Sequence, residues 1–212
     1  MAVRRKTTEI RRRQIIDAAK RLIMRYGSEH VTVRRIALQV GITEAAIYRH
    51  FKSKGDILSL LVDDISQNWT DEIEQTADKK QTSLSRLNDV LLNRISVAEQ
   101  KGGISFLVIA EILSLGDKAL NKQASGVVES YIRRLAHIIS EGVERGELSN
   151  EIEPVATATI LYGMVQGVVG IWALSNYEFN LIERYTSSWN IIQKVIFKIQ
   201  SEEKAANAYV KV

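Results

Sequence analysis

The 212-residue chain is 45% hydrophobic and 25% charged, which predicts a packed core in one large domain or two modest ones. Cysteine is absent, excluding disulfides and thiolate metal sites, and one proline with twelve glycines argues for long helices over many short strands. The net charge of +4 divides unevenly, with +10 in residues 1–54 and −6 in the other 158, the electrostatic footprint of a nucleic-acid-binding protein.

Met1 to Lys6 form a basic arm, expected to be poorly ordered without DNA. From Thr8 the spacing of Ile15, Ile16, Ala19, Leu22, Ile23 and Tyr26 predicts a first helix, ended by Gly27. Thr32 is placed to cap a second helix carried by Val33, Ile36, Ala37 and Val40, and Gly41 supplies the left-handed residue that stops it. Thr43 caps a third, from Glu44 to His50, with Ile47 and Phe51 four apart on its inner side. Helix, glycine turn and short helix make a helix-turn-helix, whose second helix enters the DNA major groove. Helix one then covers the apolar backs of the other two.

A longer helix begins at Ser53 or Lys54, with Ile57, Leu58, Leu61, Ile65 and Trp69 on its buried face. Gln75 to Thr82 is polar and predicts a loop. Further helices are expected over 83–100, 104–115, 121–145, 154–175 and 179–201, broken at Gly102-Gly103, Gly116 and Gly146, with Pro154 in the first turn of its helix. Residues 202–212 read as a frayed end. No stretch reads as a transmembrane span: Ile160 to Leu174 is short and interrupted by Gln166 and glycines. No apolar run follows the basic start as a signal peptide requires, so a cytoplasmic protein without a membrane partner is expected.

With TVRRIALQVGI, AAIYRHFKSK and the apolar start Ile57-Leu58 in view, the chain resembles the TetR family of bacterial transcription regulators over about residues 10–60. Beyond residue 60 the likeness lies in helix number and length. The resemblance implies an all-α fold of about nine helices. Residues 1–54 would be the helix-turn-helix DNA-binding domain, and 55–212 a larger regulatory domain for ligand binding and dimerisation. It implies a homodimer that represses transcription from a palindromic operator in double-stranded DNA and is released by a small molecule. The alternative is a DNA-binding protein of this fold acting through a protein partner, in chromosome organisation or division.

Phosphate contacts give affinity and base edges give specificity. The candidate DNA-contacting residues are Thr32, Arg34, Thr43, Glu44, Ala45, Ala46, Tyr48, Arg49, His50 and Lys54. Arg34 suits a guanine or a phosphate, Glu44 a cytosine amine, and the two alanines close approach to a thymine methyl. By the resemblance, Tyr48, His50 and Lys54 match positions that reach the backbone. Arg11 to Arg13 either approach phosphates or keep helix one solvated.

The implied effector pocket points to polar and aromatic residues set among apolar ones, namely Arg94, Glu111, Tyr131, His137, Tyr162, Gln166 and Trp172. The abundance of Leu, Ile and Val between 104 and 174 suggests a lipophilic effector. For the dimer, the last two helices offer Gly163 and Gly167 for close backbone approach and an apolar stripe of Ile182, Tyr185, Trp189, Ile192 and Ile196. Catalysis is not expected. The three histidines, at 30, 50 and 137, lie far apart, and no nucleophile elbow, phosphate loop or His-Glu-x-x-His helix occurs. No metal or cofactor is called for.

Overall fold

The computed structural model describes residues 2–26, 31–49, 51–75 and 81–196, with side chains from residue 9 onward. Among the described residues there are nine α-helices and no strand. They are α1 (Ala2–Tyr26), α2 (Val33–Val40), α3 (Glu44–Tyr48), α4 (Lys54–Gln75), α5 (Ser83–Gln100), α6 (Ile104–Leu115), α7 (Lys118–Glu144), α8 (Pro154–Leu174) and α9 (Leu181–Ile196). The expected all-α fold is the observed one, and α5 and α6 begin and end at the residues the sequence indicates. The basic arm falls within α1, whose side chains are described only from residue 9, and the frayed end lies outside the described residues.

The helices group into two compact units, Met1–Asn68 with Ile104–Val127, and Trp69–Gly103 with Val128–Val212. In the first, α1 buries Ile15, Ala18, Ala19, Leu22 and Ile23, and the core continues through Ile36, Ala37, Ile47, Phe51, Ile57, Leu58 and Leu61. Each fully buried aliphatic side chain contributes about 1.5–3 kcal/mol. α6 packs on α1 and buries Val108 and Ile112. Two ion pairs to Asp64, from Lys20 and from Arg13 (3.3 Å), tie α1 to α4.

In the second unit α5 and α8 pack against α9 around Leu87, Leu91, Ile95, Leu161, Val165, Leu181 and Tyr185. The start of α5 approaches α7 at Gly142, where a Cβ atom would stand 2.7 Å from that of Ser83. Arg86 Nη1 donates to Glu141 Oε2 at 2.5 Å across the same helix pair. That guanidinium holds the Glu141 carboxyl below its ordinary range.

α1 begins at Ala2 rather than at Thr8, so the arm expected to be poorly ordered is, from residue 2 on, the start of a helix. Two further helix starts differ from expectation because side-chain caps set them. Asp117 Oδ1 accepts from the amides of Ala119 (2.8 Å) and Leu120 (3.1 Å), which moves α7 forward to Lys118. Asn180 Oδ1 accepts from Glu183 N at 2.9 Å and starts α9 at Leu181. A further departure concerns α8, which was expected to lack the reach of a membrane span. As a continuous 21-residue helix with a mean hydropathy of 1.5 over its most apolar stretch, it has the length and composition to cross one. The helix runs through Gln166 as the expected span 154–175 requires, and the Gln166 amide donates to Tyr162 Oη one turn back (2.8 Å). The inner face of α8 (Ala158, Leu161, Val165, Val169, Trp172) is buried by its own chain.

Candidate functional site

The helix-turn-helix forms by the local chemistry read from its sequence. Thr32 is extended, and its Oγ1 accepts from Arg35 N at 3.2 Å, capping α2. Gly41 adopts φ +74°, and its amide closes on the carbonyls of α2. Thr43 caps α3 by accepting from Ala46 N at 3.2 Å. Each such cap contributes about 1 kcal/mol. Ile47 turns inward and is fully buried, which fixes the opposite side of α3 outward. Thr43, Glu44, Ala45, Tyr48 and Arg49 are accordingly exposed, and Ala46 is half-buried. Thr32 and Arg34 are exposed at the start of α2. Nine of the ten candidate DNA residues thus lie in α2, α3, their flanking caps and the start of α4; His50 lies outside the described residues.

Three of the basic side chains read from the sequence are engaged within the fold. Lys54 Nζ donates to Glu111 Oε1 at 2.6 Å, and Glu111 is buried on α6. Glu111, expected in the effector pocket, thus meets the lysine expected at the phosphate backbone. In α1, Arg12 lies over the Phe51 ring (5.9 Å) and Arg13 pairs with Asp64, so both brace the unit. Sequence reading also missed a groove of about 700 Å³ between α1 and α2, bordered by Arg21, Met24, Arg25, Tyr26 and Leu38. Leu38 looked like an ordinary helix position, and its 83% exposure could not be read from spacing.

Four of the seven effector candidates come together in the second unit, around a residue the sequence assigned only to the core. Trp69 lies 5.0 Å from Tyr131 and 6.2 Å from Tyr162, and those two tyrosines are 6.2 Å apart, all between ring centroids. The Arg94 guanidinium stacks 4.0 Å over Trp69 and is 6.0 Å from Tyr131. Its Nη1 donates to Glu72 Oε2 at 3.3 Å in a buried pair. Burial raises the Glu72 carboxyl above its ordinary range although Arg94 acts the other way, and burial likewise pushes the Tyr131 phenol up. Tyr162 and Gln166 complete the group. His137 and Trp172 do not join it. His137 is 74% exposed and faces Glu141 at 3.5 Å, while Trp172 packs edge-on to Tyr177 at 4.6 Å.

The residues expected at a dimer interface separate into two sets. Tyr185 and Trp189 are 1% and 5% exposed within one chain, stacked on each other, with Tyr185 Oη reaching Asn88 Oδ1 at 3.2 Å. They serve the protomer's own core, because α9 needs an inner face against α5. Gly163 and Gly167 are exposed, and a Cβ on either would meet nothing within 4 Å. Ile160, Ile171, Leu174, Ile182, Ile191 and Val195 are exposed on the same two helices, and Ile192 and Ile196 are half-buried.

A capped helix-turn-helix with an outward polar face, on an all-helical chain, defines a DNA-binding transcription regulator. The chain belongs to the tetR family of bacterial regulatory proteins. Residues 15–61 match "Bacterial regulatory proteins, tetR family", and residues 62–195 match "YsiA-like protein, C-terminal region". Among its relatives is the nucleoid occlusion factor SlmA of Photobacterium profundum, 27% identical over 91% of this chain and 97% of that protein. Another is the fatty acid metabolism regulator protein of Bacillus subtilis, 25% identical over 80% and 87%. The fold is shared with the transcriptional regulator FadR from Bacillus subtilis, solved in complex with stearoyl-CoA. That match has a TM-score of 0.76 at 23% identity, covering 84% of this chain and 96% of that one.

Proposed function

We propose that two copies of the chain bind a palindromic operator and repress transcription until a lipophilic effector releases them. The supporting observation is the α2–Gly41–α3 unit, in which buried Ile47 leaves Thr43, Glu44, Ala45, Tyr48 and Arg49 exposed on the outer side of α3, with Arg34 exposed at the start of α2. Tyr48 and Lys54 take phosphates, Arg34 and Glu44 read bases, and Ala45 and Ala46 allow close approach to the groove. His50 joins the backbone contacts. The protein works in the cytoplasm, where its DNA is, and needs no catalytic group or cofactor.

One recognition helix reads only a few base pairs, so the reading requires a second copy with its half-site about 34–36 Å away. The exposed stripe Ile160, Gly163, Gly167, Ile171 on α8, with Ile182, Ile191 and Val195 on α9, suits that role. It also gives α8 a reason to be apolar all round, with one face packed in its own chain and the other against the partner.

The effector is a long-chain fatty acyl compound held in the second unit near Arg94, Tyr131, Tyr162 and Gln166. The buried polar cluster supports this, as does the stearoyl-CoA bound to the related fold of FadR. Release is a population shift, in which the effector favours a state whose recognition helices no longer fit the groove spacing. A second reading, action through a protein partner, is favoured by the likeness to a nucleoid occlusion factor. Selection of bound genomic fragments by the purified protein, with and without palmitoyl-CoA, tests both. Palindromes beside promoters that are lost on adding the thioester support the repressor. Many dispersed sites indifferent to it support the partner-directed protein.

A further inference from the structure

A buried hydrogen-bond donor left unmet costs about 1–3 kcal/mol, and such groups are few in native proteins. Among the described residues, Trp69 Nε1 and Tyr131 Oη are two of them. Their rings are 5.0 Å apart, so both belong to one cluster. Phenylalanine at position 131 would supply nearly the same apolar surface without the unmet hydroxyl, and a purely apolar side chain at position 69 would leave no N–H unmet. The cation beside them is already balanced, since Arg94 pairs with Glu72, both under a tenth exposed. A second buried carboxylate here would meet Glu72 as well as Arg94 and would carry a large desolvation cost. A neutral acceptor carries neither penalty and suits an N–H donor and an O–H donor together.

We infer that Trp69 and Tyr131 form a docking point for the uncharged carbonyl oxygen of a long-chain acyl thioester or ester. Arg94 and Glu72 are its neutral, hydrogen-bonded support. This rests on the acyl-effector reading above and refines it, because it selects the activated acyl compound over the free fatty acid. A carboxylate would add a second negative charge beside Glu72, whereas the thioester carbonyl adds none. Tyr162 and Gln166, both half-buried and joined by a 2.8 Å hydrogen bond, border the same cluster. Arg94 and Glu72 are positioning residues here, and the donors are the groups that touch the ligand.

The test compares palmitoyl-CoA with S-hexadecyl-CoA, a thioether of the same chain length that lacks the carbonyl oxygen. Affinities are measured calorimetrically on the full-length protein and on the Trp69→Phe/Tyr131→Phe variant. The wild type is expected to favour the thioester by about 10-fold, one good hydrogen bond's worth, and the variant to bind the two ligands nearly equally. The thioether's unchanged affinity for the variant reports that the fold is intact. Equal affinity of the wild type for both ligands, or a preference that survives in the variant, overturns the carbonyl site while leaving the acyl effector standing. If neither compound binds and neither releases DNA, the effector reading itself fails and the site with it. Palmitate binding as tightly as palmitoyl-CoA would overturn the choice of a neutral head group.

Discussion

Lys54 Nζ and Glu111 Oε1 are 2.6 Å apart, joining the first residue of α4 to the buried side of α6. A lysine proposed to hold a DNA phosphate therefore has an anionic competitor within its own unit. Glu111→Gln removes the charge and keeps the shape. It should tighten binding of the selected operator several-fold and steepen the salt dependence toward one more phosphate contact, about 0.9 in log–log slope. Lys54→Ala should flatten the slope by a similar amount and abolish the effect of Glu111→Gln in the double variant. Fluorescence anisotropy across a salt series reads all three, and a Glu111→Gln protein with wild-type affinity and slope would show that no competition exists.

The contacts proposed on α2 and α3 are separable by kind. Tyr48→Phe removes one phosphate hydrogen bond and should weaken all DNA alike, by about 0.5–1.5 kcal/mol. Arg34→Ala should instead relax the preference at one base pair of each half-site, costing about 1–3 kcal/mol against the cognate base. Binding measured to the operator and to single-base variants distinguishes them. A uniform loss for Arg34→Ala would move it among the phosphate contacts.

The helix-turn-helix was legible because its determinants are local. Thr32, Gly41 and Thr43 act within four residues of themselves, and the inward turn of Ile47 follows from 3.6-residue spacing. The regulatory half was legible only as helices. An apolar stripe on α9 looks the same whether it faces its own chain or a second one, so Tyr185 and Trp189 read as interface residues although they fill the protomer core. Trp69 read only as core, while Glu111 was drawn into the pocket by its apolar neighbours, although it pairs with a lysine 57 positions earlier. Such pairings are set by packing over long separations in sequence, and no spacing rule reports them.

That distinction changes the mutation that tests the dimer. Trp189→Asp would bury an unpaired charge and unfold the chain rather than divide it. Ile171→Asp alters a side chain 56% exposed on one protomer and should leave the fold intact while weakening self-association. Gly167→Leu should act likewise, since nothing within its own chain lies within 4 Å of a Cβ there. Sedimentation should show monomers with unchanged helicity, and operator affinity should fall with the dimer. A variant that remains dimeric would place the interface elsewhere.

Gly142 makes the opposite prediction. In an exposed helix position, alanine stabilises by about 1 kcal/mol relative to glycine. Here its Cβ would stand 2.7 Å from Ser83 Cβ and 2.8 Å from Leu148 Cδ1. Overpacking of this kind costs about 1–3 kcal/mol, so Gly142→Ala should lower the midpoint of urea unfolding despite its higher helix propensity. Gly142→Ala/Ser83→Gly should recover part of the loss. A single variant at least as stable as the wild type would mean that α5 and α7 part easily at this point.

Glu141 gives the regulatory unit a sign for its acid response. Its carboxyl sits below the ordinary value of 4.5, chiefly because Arg86 donates to it, and burial opposes this only in part. A carboxyl depressed in the folded state contributes stability that is complete above its unfolded value and is lost as pH falls through the folded one. Glu141→Gln should therefore destabilise the protein at neutral pH by about 0.5–1 kcal/mol, since solvent around the partly exposed carboxylate screens its pairing with Arg86. The gap to wild type should begin to close as pH drops past 4.5 and vanish once the wild-type carboxyl is protonated. Urea unfolding from pH 7 down to pH 3 checks the trend. A difference constant across that range would assign the loss to packing around Arg86 rather than to the charge.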